Sequence, residues 1–396
     1  MPFAGRLAQL PPGPFVRLAA LLADTRPGKD PISLAVGDPQ GTVPDFVKEA
    51  LTASTASFGS YPTISGTPQW REAAAGWLNR RFALKGAIDP EKHVLPLAGT
   101  REGLFSVLFA FMPESKGGGR PIVAMPNPFY QCYAAAALAA GAEPLYVPSI
   151  RDNGFLPDYA GLPEAVLARL KAVYVCSPSN PEGAVADAAY WRALLALAER
   201  HDFIVLADEC YADIWFDEPP VCALPARLAQ SGGFSHLLSF HSLSKRSGLP
   251  GIRSGMVAGC SGLIENFRAL RNVAGPTVPG PLLAASAAAW ADEAHVEVNR
   301  LAYGAKMEAA QKILGPHMTR PAGGFFLWLA VGNGEEFAAR AWREQGVRLL
   351  PGAYMGREIQ AGITQSNPGF SYVRVALVND LSTIMTALER LREILG

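Results

Sequence analysis

The 396-residue chain has no surplus of charge of either sign, with 35 Lys and Arg against 35 Asp and Glu. Without a net field, and without a basic run interleaved with aromatics, recruitment of nucleic acid or of an anionic membrane surface is not expected. Cysteine is scarce and odd in number: Cys132, Cys176, Cys210, Cys222 and Cys260 lie scattered, mostly in apolar runs. That excludes a disulfide framework and reads as reduced core thiols, the usage of a cytoplasmic protein. The six histidines show no zinc-ligand spacing, so no metal site is expected. No apolar run reaches the length of a membrane span, the stretch from Pro281 to Ala291 being too short. The start, Met1-Pro2-Phe3-Ala4-Gly5-Arg6, lacks the charged head, apolar stretch and small-residue cleavage site of a secretory signal. Two phosphate-binding signatures are also missing. Gly99-Thr100-Arg101-Glu102-Gly103 is too short for a Walker loop and lacks its Gly-Lys-Ser/Thr ending, and no G-x-G-x-x-G occurs.

What is present is the composition of a soluble globular enzyme, 49% hydrophobic and 18% charged, in a chain longer than a single core usually grows. Two subdomains are therefore expected. Residues 1 to about 31 read as an arm around one amphipathic run, Phe15 to Leu22, before a short strand, Ile32 to Val36, that enters a turn at Gly37. Helical spacing follows at Asp45 to Ala56 and Pro68 to Leu84, with Tyr61 in the loop between.

From residue 93 apolar strands and helices alternate, and each strand ends in a polar cluster. Val94 to Ala98 ends in Thr100, Ile122 to Met125 in Tyr130, and Val173 to Cys176 in Asn180-Pro181. Phe203 to Ala207 ends in Asp208 and Tyr211, and Leu237 to Phe240 in the turn Ser242-Leu243-Ser244-Lys245. This is the signature of an α/β fold with a mostly parallel, doubly covered sheet, in which ligands gather at the carboxyl ends of strands. Thr100, Tyr130, Asn180, Asp208, Tyr211 and Lys245 are thus expected to share one cleft. Any one of them has a bland structural use, as a cap or a turn residue; six at matching strand ends are harder to dismiss. After a strand at Ser254 to Gly259, an Ala-rich helical region runs from Leu282 to about Leu314, lightly broken near Asp292. The remainder alternates short strands and helices, and Arg374 stands among apolar neighbours, where a charge must be paired or reach a ligand.

Lys245 is the chemical centre of this reading. A lysine held among hydroxyls and desolvated becomes an amine that condenses with a carbonyl. Ser242, Ser244 and Arg253, eight residues beyond the lysine, are donors of the kind that hold a phosphate monoester. An aldehyde that carries a phosphate satisfies both, and pyridoxal 5'-phosphate is such a molecule.

The ordered set Gly37, Tyr61, Thr100-Arg101, Tyr130, Asn180-Pro181, Asp208-x-x-Tyr211, Ser242-x-Ser244-Lys245, Arg253 and Arg374 resembles the class I/II aminotransferases of the aspartate aminotransferase superfamily, fold type I, over nearly the whole chain. The stretch from Ser242 to Gly255, with Leu97 to Phe105 upstream, is similar in particular to bacterial N-succinyldiaminopimelate aminotransferases. The resemblance implies a seven-stranded, mostly parallel sheet in a large cofactor-binding domain, residues 45–281. Residues 1–44 would supply an N-terminal arm and part of a smaller α+β domain, completed by a linking helix and the C-terminal part, 282–396. It implies pyridoxal 5'-phosphate held by Lys245, with Asp208 on the pyridine nitrogen, Asn180 and Tyr211 on the ring oxygen, and Tyr130 on the ring face. Thr100, Arg101, Ser242 and Arg253 would hold the phosphate, joined by Tyr61 from a second subunit of a homodimer. Arg374 and Gly37 would bind the substrate carboxylate.

The implied reaction passes an amino group between N-succinyl-LL-2,6-diaminopimelate and 2-oxoglutarate in lysine biosynthesis. An aminotransferase for aspartate or another amino acid is the alternative, and a lyase on the same scaffold a further one. Arg17, Arg26 and Arg101 are the candidates for reading the distal carboxylates.

Overall fold

The computed structural model describes residues 5–395. The chain enters through α1 (Pro14–Leu22) and a two-residue strand, β1 (Ile32–Ser33), before α2 (Asp45–Ala53) and α3 (Pro68–Arg81). The last begins where Thr67 accepts a hydrogen bond from the Trp70 amide and Pro68 pre-sets the first turn. An alternating stretch follows: β2 (Val94–Leu97), α4 (Thr100–Ser106), β3 (Ile122–Asn127), α5 (Cys132–Ala139), β4 (Glu143–Pro148) and, past a one-turn helix α6 (Glu164–Leu167), β5 (Leu170–Cys176). It continues with α7 (Ala188–His201), β6 (Ile204–Asp208), α8 (Ala223–Ser231), β7 (Leu237–Ser242), the single turn α9 (Leu243–Arg246) and β8 (Gly255–Gly259).

These strands form a seven-stranded sheet in the order β2-β8-β7-β6-β5-β3-β4. The pairs from β7 through β6, β5 and β3 to β4 are parallel, whereas β8 runs antiparallel to both β7 and β2. Two reversals restore direction, so β2 points the same way as the parallel set. Every residue of β3, β6 and β7 is buried, which is why their sequences are continuous apolar runs rather than alternating ones. One face packs Val173, Val205 and Ala207 against Trp191 and Leu195; the other packs Leu206, Leu238 and Phe240 against Phe267 and Tyr133.

The edge strand β4 is absent from the sequence expectation. It is half-exposed and carries Pro144 and Pro148, which edge positions tolerate and which mask a strand to any reading by pattern. After α10 (Ser261–Ala274), the Ala-rich region resolves into α11 (Gly280–Ala291) and α12 (Ala294–Leu314), with Asp292 accepting from the His295 amide at the break. A second, three-stranded antiparallel sheet, β11-β12-β9, contains β9 (Phe326–Ala330), β11 (Leu350–Pro351) and β12 (Tyr372–Ala376). It is flanked by α13 (Gly334–Gln345) and α14 (Leu381–Leu395), while β10 (Val347–Arg348) pairs in parallel with β1. Leu34 from the N-terminal part thereby shares one core with Leu327, Val375 and Leu388.

Phe240 is fully buried at the centre of the large sheet. Phe240→Ala should lower stability by about 3–5 kcal/mol, read from the shift of the urea unfolding midpoint. A loss below about 1 kcal/mol would contradict its placement in a close-packed layer.

Candidate active site

Parallel strands deliver their carboxyl ends to one edge of the sheet, and the two reversals extend the rule. The exit of β2 brings Thr100 there, and the oppositely directed β8 brings its entry there, which carries Arg253 to the same edge. A cavity of about 1330 Å³ opens at that edge. Thr100, Arg101, Tyr130, Asn180, Asp208 and Tyr211 line it, and so do Ser242, Lys245, Arg253, Gly37 and Arg374. The structure does not bring Tyr61 to this cavity, since its side chain is fully exposed on the surface of its own chain.

Lys245 sits on the single turn α9, whose entry is capped by Ser242 accepting from the Ser244 amide at 3.1 Å. Its Nζ donates to the Gly37 carbonyl at 2.6 Å and lies 5.2 Å from the Phe325 ring centroid. Burial among these groups pulls the ammonium pKa down to about 8, from an ordinary 10.5. The approach needs Gly37 to be glycine, because a Cβ there would lie 2.6 Å from the Phe326 ring.

Asp208 ends β6 and is 5% exposed. Its hydrogen bonds come from the Tyr133 hydroxyl at 2.5 Å and, longer, from the Cys210 amide at 3.4 Å. Burial raises its pKa, and those donors, with the charge of Lys245, oppose the rise. Tyr133 is a site residue that sequence reasoning missed. It lies in the alanine-rich α5 and stacks on Tyr174 at 4.3 Å between centroids; its only outward signal was a polar tip in an otherwise apolar helix.

Asn180 and Arg374 come from different sheets and meet: Nη1 of Arg374 donates to Asn180 Oδ1 at 2.9 Å, and Nη2 to the Ala35 carbonyl at 2.8 Å. The guanidinium is 4.3 Å from the Phe326 ring centroid, burial lowers its pKa to about 10, and its Nε has no partner. A buried cation on a cavity wall whose hydrogen-bond partners are neutral keeps its charge uncompensated, which suits it to receive an anion. Arg101 Nε donates to the Tyr130 hydroxyl, and burial pushes the phenol pKa up to about 12. Of the three arginines considered for distal carboxylates, Arg101 alone lines the cavity, whereas Arg17 lies over the Tyr354 ring at 3.8 Å and pairs with Glu335.

The donor set fits pyridoxal 5'-phosphate. Asp208 is a buried carboxyl whose hydrogen bonds all come from neutral groups, which suits a protonated ring nitrogen. Arg253 and Ser242 flank the first turn of α4, whose cap residue, Gly99, has φ +87° and no side chain to occupy the turn. A Cβ on Gly99 would lie 2.2 Å from Arg253 Nη2, so glycine keeps this cradle open. Lys245 supplies the amine for the aldehyde.

Residues 29–388 match the family described as aminotransferase class I and II. The LL-diaminopimelate aminotransferase of Desulforudis audaxviator is 31% identical over 405 residues, covering 99% of this chain and 98% of its own. A 4-dedimethylamino-4-oxo-anhydrotetracycline transaminase of Streptomyces rimosus is 35% identical, covering 91% of this chain and 92% of its own. The crystal structure of an aminotransferase from Neisseria meningitidis Z2491 superposes with a TM-score of 0.93 at 38% identity, covering 100% of both chains.

Comparing Lys245→Ala with the unaltered, cofactor-free protein isolates the reactivity of one amine. Its arylation rate by trinitrobenzenesulfonate should rise with pH to a midpoint near 8, because only the uncharged amine attacks. A midpoint at the ordinary 10.5 would contradict the desolvated site.

Proposed function

We propose that this chain, which belongs to the class I and II aminotransferases and so to a pyridoxal-phosphate-dependent family, moves an amino group between N-succinyl-LL-2,6-diaminopimelate and 2-oxoglutarate. The observation that carries the reading is a desolvated Lys245 in one cavity with a buried Asp208 and an anion-ready Arg374. The similarity to a diaminopimelate aminotransferase supports the substrate class. That relative's name carries no succinyl group, so the free and succinylated forms both belong in the test.

When bound, the cofactor supplies an aldehyde that takes up the amino group and a ring that accepts the electrons released at substrate Cα. Lys245 would hold the aldehyde in the resting protein, and its freed amine would take up and return the proton at substrate Cα. Its lowered pKa raises the uncharged fraction to about a tenth at pH 7, far above that of an ordinary lysine, and both duties need that form. Asp208 keeps the ring nitrogen protonated, with Tyr133 fixing the carboxylate's orientation. Because Asn180 Oδ1 is already engaged with Arg374, its amide N-H groups are what it offers the ring oxygen, alongside the Tyr211 hydroxyl. Tyr130, on the cavity wall, would pack against the ring.

Arg253, Ser242 and the amides of Thr100 and Arg101 hold the phosphate. In a homodimer, Tyr61 of a second copy reaches the same phosphate, which accounts for a fully exposed tyrosine with no role in its own chain. Arg374 grips the substrate α-carboxylate beside the Gly37 backbone, and residues 1–44 with 282–396 move as a small domain over 45–281 to exclude water.

Following the visible absorbance of the loaded protein through two half-reactions tests the function. Glutamate should convert the band, and N-succinyl-2-amino-6-oxopimelate should restore it faster than oxaloacetate does. Faster recovery with oxaloacetate would reassign the protein to aspartate, and steady release of ammonia would identify a lyase. Lys245→Ala should abolish turnover. Arg374→Lys should raise KM for amino-acid donors roughly 10–100-fold, since a point charge cannot reproduce the two-pronged contact; an unchanged KM would remove Arg374 from the site.

A further inference from the structure

Arg253 stands in the phosphate cradle in a backbone conformation that its residue type resists. Its φ is +51°, in the left-handed region where a side chain crowds the main chain. The guanidinium lines the cavity, with Nη1 donating to the Pro250 carbonyl at 2.8 Å and Nη2 beside the open face of Gly99. A residue other than glycine stays in that region only when its surroundings over-determine it. The short turn Pro250–Ile252 fixes the chain before Arg253. Ser254 fixes it after.

Ser254 is fully buried, and its hydroxyl meets that of Ser286, on α11, at 2.7 Å. Ser286 is fully buried too and accepts from the indole Nε1 of Trp70, on α3, at 2.9 Å. An indole N–H can only donate, so Ser286 keeps its own proton for Ser254, and the three groups form one continuous chain of hydrogen bonds. The main chain of Ser254 is held as well. Its carbonyl accepts from the Leu243 amide at 3.3 Å, at the entry to the lysine turn. The next residue, Gly255, is the strand partner of Ser242, another member of the cradle.

Burial of the indole does not by itself call for this chain. The Nε1 groups of Trp77 and Trp290 are buried without a hydrogen-bond partner among the described residues, and Ser286 alone would satisfy Trp70. The further bond, from Ser286 to Ser254, goes to the residue that follows Arg253. It ties α3 and α11 to the left-handed turn.

We propose that Ser254 and Ser286 are positioning residues: with Trp70 behind them, they hold the Arg253 backbone left-handed and so keep its guanidinium aimed at the cofactor phosphate. The inference rests on the reading of Arg253 as a phosphate ligand given above. It adds to that reading two residues that do not themselves line the cavity.

The full-length protein, freed of cofactor, is titrated with pyridoxal 5'-phosphate and with pyridoxal, which share the ring and the aldehyde and differ in the phosphate. The unaltered protein should bind the phosphorylated form more tightly. Ser286→Ala should weaken that form roughly tenfold and leave pyridoxal within about twofold. Ser254→Ala, which leaves the bond between Trp70 and Ser286 in place, should reproduce the loss, and it carries the test if Ser286→Ala does not fold. In an Arg253→Ala background, Ser286→Ala should weaken the phosphorylated form no further, because the chain acts through that guanidinium. Equal weakening of both ligands, no weakening of either, or an undiminished further loss in the Arg253→Ala background would overturn the inference and leave the cofactor reading standing. An unaltered protein with no preference for the phosphorylated form would instead remove the phosphate cradle, and the inference with it.

Discussion

Removing the Lys245 ammonium from water is the constraint on which the rest depends. A shift from 10.5 to about 8 corresponds to a folding cost on the order of 3 kcal/mol below the lower value. Because the folded-state pKa is depressed for a cationic group, that cost is fully present below about pH 8 and fades as pH rises toward 10.5. The fold bears it by placing the lysine on one turn between a fully buried strand and a second backbone reached through Gly37. The return is chemical: an amine that gives up its proton far more readily than an ordinary lysine, in a cavity lined also by Asp208, Arg253 and Arg374.

That turn is braced from behind by charge. Arg246, next to Lys245 and 3% exposed, lies 5.3 Å from the centroids of both Trp77 and Trp290, whose rings pack on each other at 4.7 Å. It donates to the Ala289 and Asp292 carbonyls, pairs with Glu293, and faces Asp213 at 3.1 Å, which in turn pairs with Arg81. Asn299 of α12 donates to the carbonyls of both Lys245 and Arg246. One guanidinium therefore joins the lysine turn, the segment that begins at Asp208 and the break between α11 and α12. A buried pair of this kind adds little net stability, and its value lies in specifying one arrangement of three segments that must agree.

The parallel strands were legible because burial on both faces demands unbroken apolar runs, and the polar residues that end them stand out against that background. Asp208, Lys245, Asn180 and Arg374 were found on this contrast, together with the family pattern. What stayed hidden is what local pattern does not encode. The edge strand β4 carries two prolines, and the reversed direction of β8 follows from pairing rather than composition. Tyr133 acts from within an alanine helix. Arg17 was picked out as a candidate cation, but its neighbours Tyr354 and Glu335 come from the far end of the chain.

The account is tested most directly by asking which lysine carries the cofactor. The protein is incubated with pyridoxal 5'-phosphate, reduced with borohydride to make the linkage permanent, digested, and mapped by mass spectrometry. The desolvated amine at the mouth of the phosphate cradle predicts a single stoichiometric label on Lys245. A label spread over surface lysines, or concentrated on another residue such as Lys306 or Lys116, would contradict it.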